Sequence, residues 1–331
     1  MTATTVFVSG ANGFIASHVV KQLLEKGYNV VGSVRSASKG DKLKELTKSD
    51  NFSYEVVPTL DAEGAFDEAL KRHPEVTVFL HTASPVTWEA TDFEKEIIQP
   101  AIKGTKNALA AIKKYAPQIE RVVVTSSIAA VADLQSDPKK IYDEDSWNSI
   151  TYEQGLQNGI LAYVASKKFA ELAIYDFIKE EKPTFKVSTV QPVYVFGPQA
   201  YGIDGALNVS AQFVNSIAQL GPSDKITEQS GSFIDVRDVA KAHIVAFEKD
   251  EAIDQRLVLV SEPFSFDGIA RVINENFPDS KVPKGDLAKD EELKKNVHNY
   301  NTSKTHKILG FDFIPFEQSI IESVKQIYES K

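Results

Sequence analysis

The residues of this chain best suited to chemistry are tyrosines followed four positions later by a lysine. On a helix such a pair is offset by only about 40° of arc and about 6 Å of rise, so both side chains share a face. An ammonium beside a phenol favours the phenolate and lowers the phenol pKa from about 10. A phenol tuned in this way exchanges a proton with a carbonyl or alcohol near neutral pH. The spacing occurs at Tyr163/Lys167, Tyr175/Lys179 and Tyr300/Lys304. With 11 tyrosines in the chain, chance matches are expected, so context decides. Tyr163-Val164-Ala165-Ser166-Lys167 has small neighbours that admit a ligand. Tyr175 sits among Ile174, Phe177 and Ile178, and Tyr300 lies in a polar, Asn-rich stretch. The first pair is therefore the candidate.

A second constellation lies at the start. Thr5-Val6-Phe7-Val8 runs into Gly10-Ala11-Asn12-Gly13-Phe14-Ile15-Ala16 and then an amphipathic helix. In this G-x-x-G-x-x-A turn Gly10 permits the bend, Gly13 admits a pyrophosphate close to the backbone, and Ala16 keeps helix and sheet together. The helix N-terminus offers free N–H groups to phosphates. The turn predicts a dinucleotide site. NAD sites usually carry a carboxylate after the second strand, for the ribose 2′-hydroxyl. Here the run is Val34-Arg35-Ser36-Ala37-Ser38-Lys39, with no acid. The guanidinium of Arg35 suits a 2′-phosphate. Ser36 can add a hydrogen bond and Lys39 a second charge, so NADP(H) is the expected cofactor.

A third group should polarise the carbonyl. Arg121-Val122-Val123-Val124-Thr125 reads as a strand ending in Ser126-Ser127. Neighbouring strand residues point to opposite faces, so one serine faces the cleft and the other the packing. From the residues alone both assignments stay open.

The elements that must position these groups alternate along the chain. β-branched runs at 5–8, 29–32, 54–57, 76–80, 121–125 and 185–190 are near-continuously apolar, as strands covered on both faces should be. Helical stretches lie between most of them, including 104–115 and 162–180. The pattern predicts an α/β fold, a Rossmann-type doubly wound parallel sheet. After Pro198 the rhythm turns irregular and then mainly helical, which predicts a smaller C-terminal substrate lobe. The expected division is 1–191 plus about 232–250 for the sheet domain. The lobe takes about 192–231 plus 251–331.

Composition excludes several classes. The 331 residues are 42% hydrophobic and 25% charged, which suits a globular protein and not a disordered or fibrous one. The net charge of −9 and a pI near 5.3 make nucleic acid an unexpected partner. No apolar run approaches the roughly 18 residues of a membrane span. There are no cysteines, hence no disulfide, thiolate metal site or thiol nucleophile. The six histidines lack metal-ligand spacing, so no metal is expected. No signal peptide is apparent, and the cytosol is the expected location.

Together the motifs VSGANGFIA (8–16), VRS (34–36), HTASP (81–85), RVVVTSS (121–127), AYVASKKFAE (162–171), PVYVFGPQ (192–199) and FIDVRDVAKAH (233–243) resemble the extended short-chain dehydrogenase/reductase family. The likeness is greatest to its fungal branch of NADPH-dependent aldehyde and ketone reductases, with plant dihydroflavonol reductases more distant. It spans nearly the whole chain. The resemblance implies that the catalytic serine is Ser127, that Tyr163 is the proton donor, and that Lys167 also holds the nicotinamide ribose. It places Thr82 and Ala83 in the loop lining the cofactor, and Pro192 and Val193 beside the nicotinamide. Asn107 matches a helix residue that supports a proton relay. Two positions depart from the family pattern. Thr59-Leu60, with Asp61 one later, stands where relatives have an Asp near the adenine, and Gln191 stands where many have Asn.

The expected activity is reduction of small or medium uncharged aldehydes and ketones, such as methylglyoxal, aliphatic aldehydes, keto esters or aryl ketones. Val86, Ile128, Tyr194 and Tyr201 are expected to line the substrate pocket. Asp238 is read as a helix cap beside a structural salt bridge with Asp235 and Arg237, and Trp88 and Trp147 as loop residues. A monomer or homodimer is expected. Two other readings are a nucleotide-sugar epimerase or dehydratase of the same fold and a non-enzymatic NADP-sensing regulator.

Overall fold

The computed structural model describes residues 4–84, 89–135, 137, 139–202 and 209–330. In chain order the first half runs β1 (Thr5–Ser9), α1 (Phe14–Glu25), β2 (Asn29–Val34), α2 (Ala37–Thr47), β3 (Phe52–Val56), α3 (Asp67–Arg72), β4 (Val76–His81), α4 (Gln99–Tyr115), β5 (Arg121–Thr125), β6 (Ile141–Tyr142), α5 (Tyr152–Gly155), α6 (Gly159–Glu181) and β7 (Lys186–Pro192). The second half runs β8 (Tyr194–Phe196), α7 (Val209–Ala218), β9 (Ser230–Asp235), α8 (Val236–Glu248), β10 (Arg256–Leu259), β11 (Glu262–Ser265), α9 (Phe266–Asn276), α10 (Leu287–Lys295), β12 (Asn299–Tyr300), α11 (Ser303–Leu309) and α12 (Phe316–Glu329).

Seven strands form one parallel sheet in the order β10-β7-β5-β4-β1-β2-β3. The order reverses at β1, which lies between β2 and β4, so the crevice of a doubly wound sheet opens there. The two-residue period of each strand sorts its side chains between two cores. Val6, Val8, Val78, Leu80 and Val123 face one layer, packed with α1 and α8. Phe7, Phe79, Val122 and Val124 face the other, packed with α4 and α6. Phe7 and Phe79 stack at 4.9 Å, with Phe66 edge-on to both.

The second lobe is built on a three-stranded sheet, β11-β9-β8, covered by α7, α9 and α12. Its core is aromatic: Phe196 meets Phe264 edge-on at 4.8 Å, and Phe233 meets Phe316 at 5.4 Å. A short parallel ribbon joins β12 to β6.

The expected boundary between the lobes shifts. The 232–250 stretch returns to the large domain through α8, which packs on α1, but its strand β9 belongs to the small sheet. The strand that completes the large sheet is β10, inside the segment assigned to the lobe. Residues Arg256 to Leu259 lie in register with Thr189 to Pro192, and all four are buried. Among the described residues no helix is long and apolar enough to cross a membrane.

Candidate active site

Parallel pairing brings every loop that follows a strand's carboxyl end to one edge. The glycine turn, the Arg35 loop, the Thr82–Ser84 loop, Ser126-Ser127 and Pro192 all stand there. Gly10 has φ +66°, a conformation that side chains other than glycine's rarely adopt. A Cβ at Gly10 would lie 3.0 Å from the Cβ of Ala83, so the β4 loop closes tightly over the turn. Ala11 is buried, its N–H donating to the Ser33 carbonyl at 2.8 Å, while the Gly10 N–H donates to Ser33 Oγ at 3.1 Å. Asn12 and Gly13 are exposed, and Phe14 and Ile15 are half-buried in the first turn of α1. No side chain caps α1 at Gly13, which leaves its first N–H groups for a ligand.

The end of β2 has the same character. Arg35 and Lys39 are exposed and Ser36 is half-buried. Ser36 is the N-cap residue of α2, yet its hydroxyl pairs with Ser38 Oγ at 3.1 Å and caps nothing. Two uncapped helix starts, two cations and a close-packed glycine turn form a cradle with the donor set of a phosphorylated dinucleotide.

Strand alternation resolves the two serines. Thr125 continues the Val123 face and meets His243 Nε2 of α8 at 2.6 Å. His243 Nδ1 lies 2.7 Å from the Val239 carbonyl, so Nδ1 carries the proton and Nε2 accepts from Thr125. Burial pushes His243 down to about 4, and it stays neutral. Ser126 continues the Val122 and Val124 face and donates to the buried Glu171 carboxylate of α6. Ser127, one step on, caps the 3₁₀ turn Ile128–Ala130, accepting from the Ala129 N–H at 3.1 Å. Its hydroxyl also hydrogen-bonds Tyr163.

Helix α6 starts cleanly because Asn158 Oδ1 accepts from the Leu161 N–H at 2.9 Å. Its register then sets Tyr163, Lys167 and Glu171 on one side. Lys167 Nζ lies 5.5 Å from the Tyr163 ring centre and donates to Ser84 Oγ at 2.9 Å. Burial lowers the Lys167 ammonium from its ordinary range to about 8. The Tyr163 phenol moves the other way from the sequence expectation. Burial raises it, Tyr194 adds to the rise, and the Ser127 hydrogen bond opposes it. Desolvation of the phenol outweighs the Ser127 hydrogen bond.

The other expected residues divide. Pro192 ends β7, and the buried Val193 donates its N–H to the Leu259 carbonyl at 3.3 Å. Thr82 donates its hydroxyl to the Ser9 carbonyl, and the Ala83 N–H donates to Ser9 Oγ at 3.0 Å. Ile128 opens the turn after Ser127, and Tyr194 is 37% exposed beside Tyr163. Val86 and Trp88 lie outside the described residues. Tyr201 is not at this edge. The chain from Pro198 runs back along α1: the Pro198 carbonyl accepts from His18 Nε2 at 2.8 Å and the Ala200 carbonyl from Lys21 Nζ at 3.4 Å. Tyr201 thereby comes under the influence of Glu25, at the far end of α1 from the glycine turn.

Asn107 also has a different task. Its amide donates to the carbonyls of Leu60 and Ala62 at 3.0 and 2.8 Å, pinning the loop that follows β3. Gln191 faces away from the cleft and donates to Glu171 Oε1 at 2.9 Å and Thr189 Oγ1 at 2.7 Å. Arg256 Nε reaches the same Oε1 at 2.6 Å and stacks over Trp147 at 4.0 Å, so Trp147 packs. The cap of α8 is Asp235 and not Asp238: Asp235 Oδ1 accepts from the Arg237 N–H at 2.8 Å, whereas Asp238 accepts from the Ile314 N–H at 2.7 Å. Sequence reasoning missed Ser84, Ser9, Ser33 and Glu171. Only Glu171 carried a signal, lying two helical steps of four beyond Tyr163.

Residues 6–260 match the model of the NAD dependent epimerase/dehydratase family, and the chain belongs to that family. It is 55% identical to a putative NADPH-dependent methylglyoxal reductase of Candida albicans, over 98% of this chain and 99% of that protein. The Candida albicans Gre2 structure with NADPH superposes with a TM-score of 0.96 at 45% identity, covering 99% of each chain. The yeast methylglyoxal/isovaleraldehyde reductase Gre2, also solved with NADPH, gives 0.95 at 42% identity and the same coverage.

Proposed function

We propose that this protein is an NADPH-dependent carbonyl reductase acting on small or medium uncharged aldehydes and ketones, with methylglyoxal, aliphatic aldehydes, keto esters and aryl ketones as the first candidates. The observation that carries the reading is the meeting of Ser127, Tyr163 and Lys167 beside a glycine turn followed, one strand later, by Arg35. The two NADPH-bound relatives support the same cofactor.

In this reading the backbone at Gly10, Ala11, Asn12, Gly13, Phe14 and Ile15 receives the pyrophosphate. Arg35, Ser36 and Lys39 receive the 2′-phosphate. Thr82, Ala83, Pro192 and Val193 flank the nicotinamide half. NADPH, when bound, supplies the hydride that reduces the carbonyl carbon. Ser127 donates a hydrogen bond to the carbonyl oxygen and orients it. Tyr163 gives its phenolic proton to that oxygen as negative charge develops, yielding the alcohol. Lys167 holds the ribose hydroxyls, and its positive charge stabilises the phenolate until solvent returns the proton. The upward shift of the Tyr163 phenol supports the reductive direction, since the donor is protonated at neutral pH. The flanking Ile128 and Tyr194 are apolar or aromatic, which favours uncharged substrates.

The test is NADPH oxidation over a panel of carbonyls, repeated with NADH. Turnover with NADPH and little with NADH is expected. Tyr163→Phe should lower kcat by about 10²–10⁴-fold while NADPH still binds. Full turnover by that variant would move the acid elsewhere. NAD co-purifying with the protein would favour an epimerase, and NADPH binding without turnover on any carbonyl would favour a sensor.

A further inference from the structure

We propose that Ser84 is a positioning residue that holds Lys167 ready for the cofactor and ties it to the glycine turn. This rests on the cofactor reading above and adds a residue and a linkage to it.

An ammonium taken out of water needs acceptors for its three N–H groups. Lys167 makes no ion pair among the described residues. The carboxylate nearest in sequence on its own helix, Glu171, is already engaged. One oxygen accepts from Gln191 and Arg256, the other from Ser126. The acceptor Lys167 does have is Ser84 Oγ at 2.9 Å. One N–H is thereby used, and the remaining two are left for ribose hydroxyls.

Ser84 is itself anchored, through its loop, to the last residue of β1. Thr82 donates to the Ser9 carbonyl, and Ala83 donates its N–H to Ser9 Oγ at 3.0 Å. Ser9 Oγ lies 3.0 Å from His81 Nδ1. Oγ, which accepts from Ala83, has both a proton to donate to Nδ1 and a second lone pair to accept from it, and either way the contact ties β1 to the end of β4. His81 can accept because burial keeps it neutral, down to about 4. Ser9 directly precedes Gly10, and Ala83 packs on Gly10. The loop that closes on the pyrophosphate turn therefore also carries the hydroxyl that aims Lys167. The titratable groups around Lys167 are Tyr163 and Glu171 on α6 and His81 on β4, with Arg256 on β10 neutralising Glu171.

The test compares wild type, Ser84→Ala and Ser84→Thr by NADPH fluorescence titration from neutral to alkaline pH. Ser84→Ala should weaken NADPH binding about ten-fold, the scale of one hydrogen bond to a charged group. Its binding should also fall away at lower pH than wild type, because the ammonium has lost its acceptor. Ser84→Thr keeps the hydroxyl and should restore both. Wild-type affinity and pH dependence in Ser84→Ala overturn the proposal. So does equal weakening by both variants with an unmoved pH dependence, which would mark a packing role. A second readout needs no nucleotide: thermal stability against pH. There Ser84→Ala should begin its alkaline gain in stability at lower pH than wild type, and an unmoved profile overturns the proposal. Wild type that fails to bind NADPH overturns the cofactor reading instead, and the nucleotide-free profile still decides the Ser84 contact.

Discussion

Replacing Lys167 by methionine should stabilise the fold while abolishing turnover. Methionine keeps the length and apolar stem of lysine and drops the ammonium. In the unfolded chain a lysine holds its proton up to about 10.5, whereas in the fold Lys167 releases it near 8. The folded state thus binds fewer protons than the unfolded state between those values. The cost of burying the ammonium is fully present below pH 8, shrinks as pH rises, and is gone above the unfolded value. At about 1.4 kcal/mol per pH unit the penalty would be about 3.5 kcal/mol for a sealed site. Lys167 is only half-buried by surface area, so screening reduces it to about 2 kcal/mol. For a chain of 331 residues that is a rise of about 3 °C in Tm at neutral pH. The assay is thermal denaturation of both proteins across pH without nucleotide, alongside NADPH oxidation. The gain should narrow steadily above pH 8. A variant less stable than wild type at neutral pH, or a gain that does not change with pH, would refute the argument.

The two serines after β5 should separate cleanly: Ser127→Ala should cut kcat by one to three orders of magnitude, on the scale of about 10²–10³ for a lost carbonyl-oxygen donor, with Tm near wild type. Ser126→Ala strips a donor from buried Glu171 and should instead lower stability by about 1–3 kcal/mol, with a smaller kcat effect, in melts and steady-state kinetics run side by side. Gly10→Ala forces a positive φ and a 3.0 Å contact with Ala83, which together cost about 2–4 kcal/mol in denaturant unfolding. Gly13→Ala has an ordinary φ of −72° and its Cβ would meet the Gly10 carbonyl at 3.2 Å, so it should lose less stability than Gly10→Ala yet bind NADPH poorly in titrations. Arg35→Asp should raise KM for NADPH far more than for NADH, and equal changes would remove Arg35 from the 2′-phosphate site.

Much of the large sheet was legible because its strands are long apolar runs separated by helices. β10 was not: it has four residues, follows a stretch of lobe, and is preceded by Asp254 at φ +57°. Its place at the edge of the sheet is decided by pairing with β7, a contact more than 60 residues away in sequence. The Tyr163/Lys167 pair could be chosen from its neighbours because spacing and small residues are local. Ser126 and Ser127 could not be separated, since the face each takes depends on which helix packs on which side. Tyr201 went astray for a similar reason. The direction of the chain after Pro198 is set by His18 and Lys21 on α1, and nothing near Tyr201 announces that. Ser84 and Ser9 carry no signal as single serines, and their meaning comes from which loops meet.

The late arrival of β10 bears on how this chain comes off the ribosome. A chain emerging from its N-terminus has β1 to β7 available long before residues 256–259 exist. Until then β7 is an open edge, with Val187 and Val190 and a row of backbone groups ready to pair with any extended strand. Glu171 meanwhile lacks Arg256, its buried counter-charge. A nascent or truncated chain ending near residue 191 or 250 should therefore be a sticky intermediate and not a free-standing nucleotide-binding module. Cutting the protein at its apparent lobe boundary separates a sheet from its own edge strand.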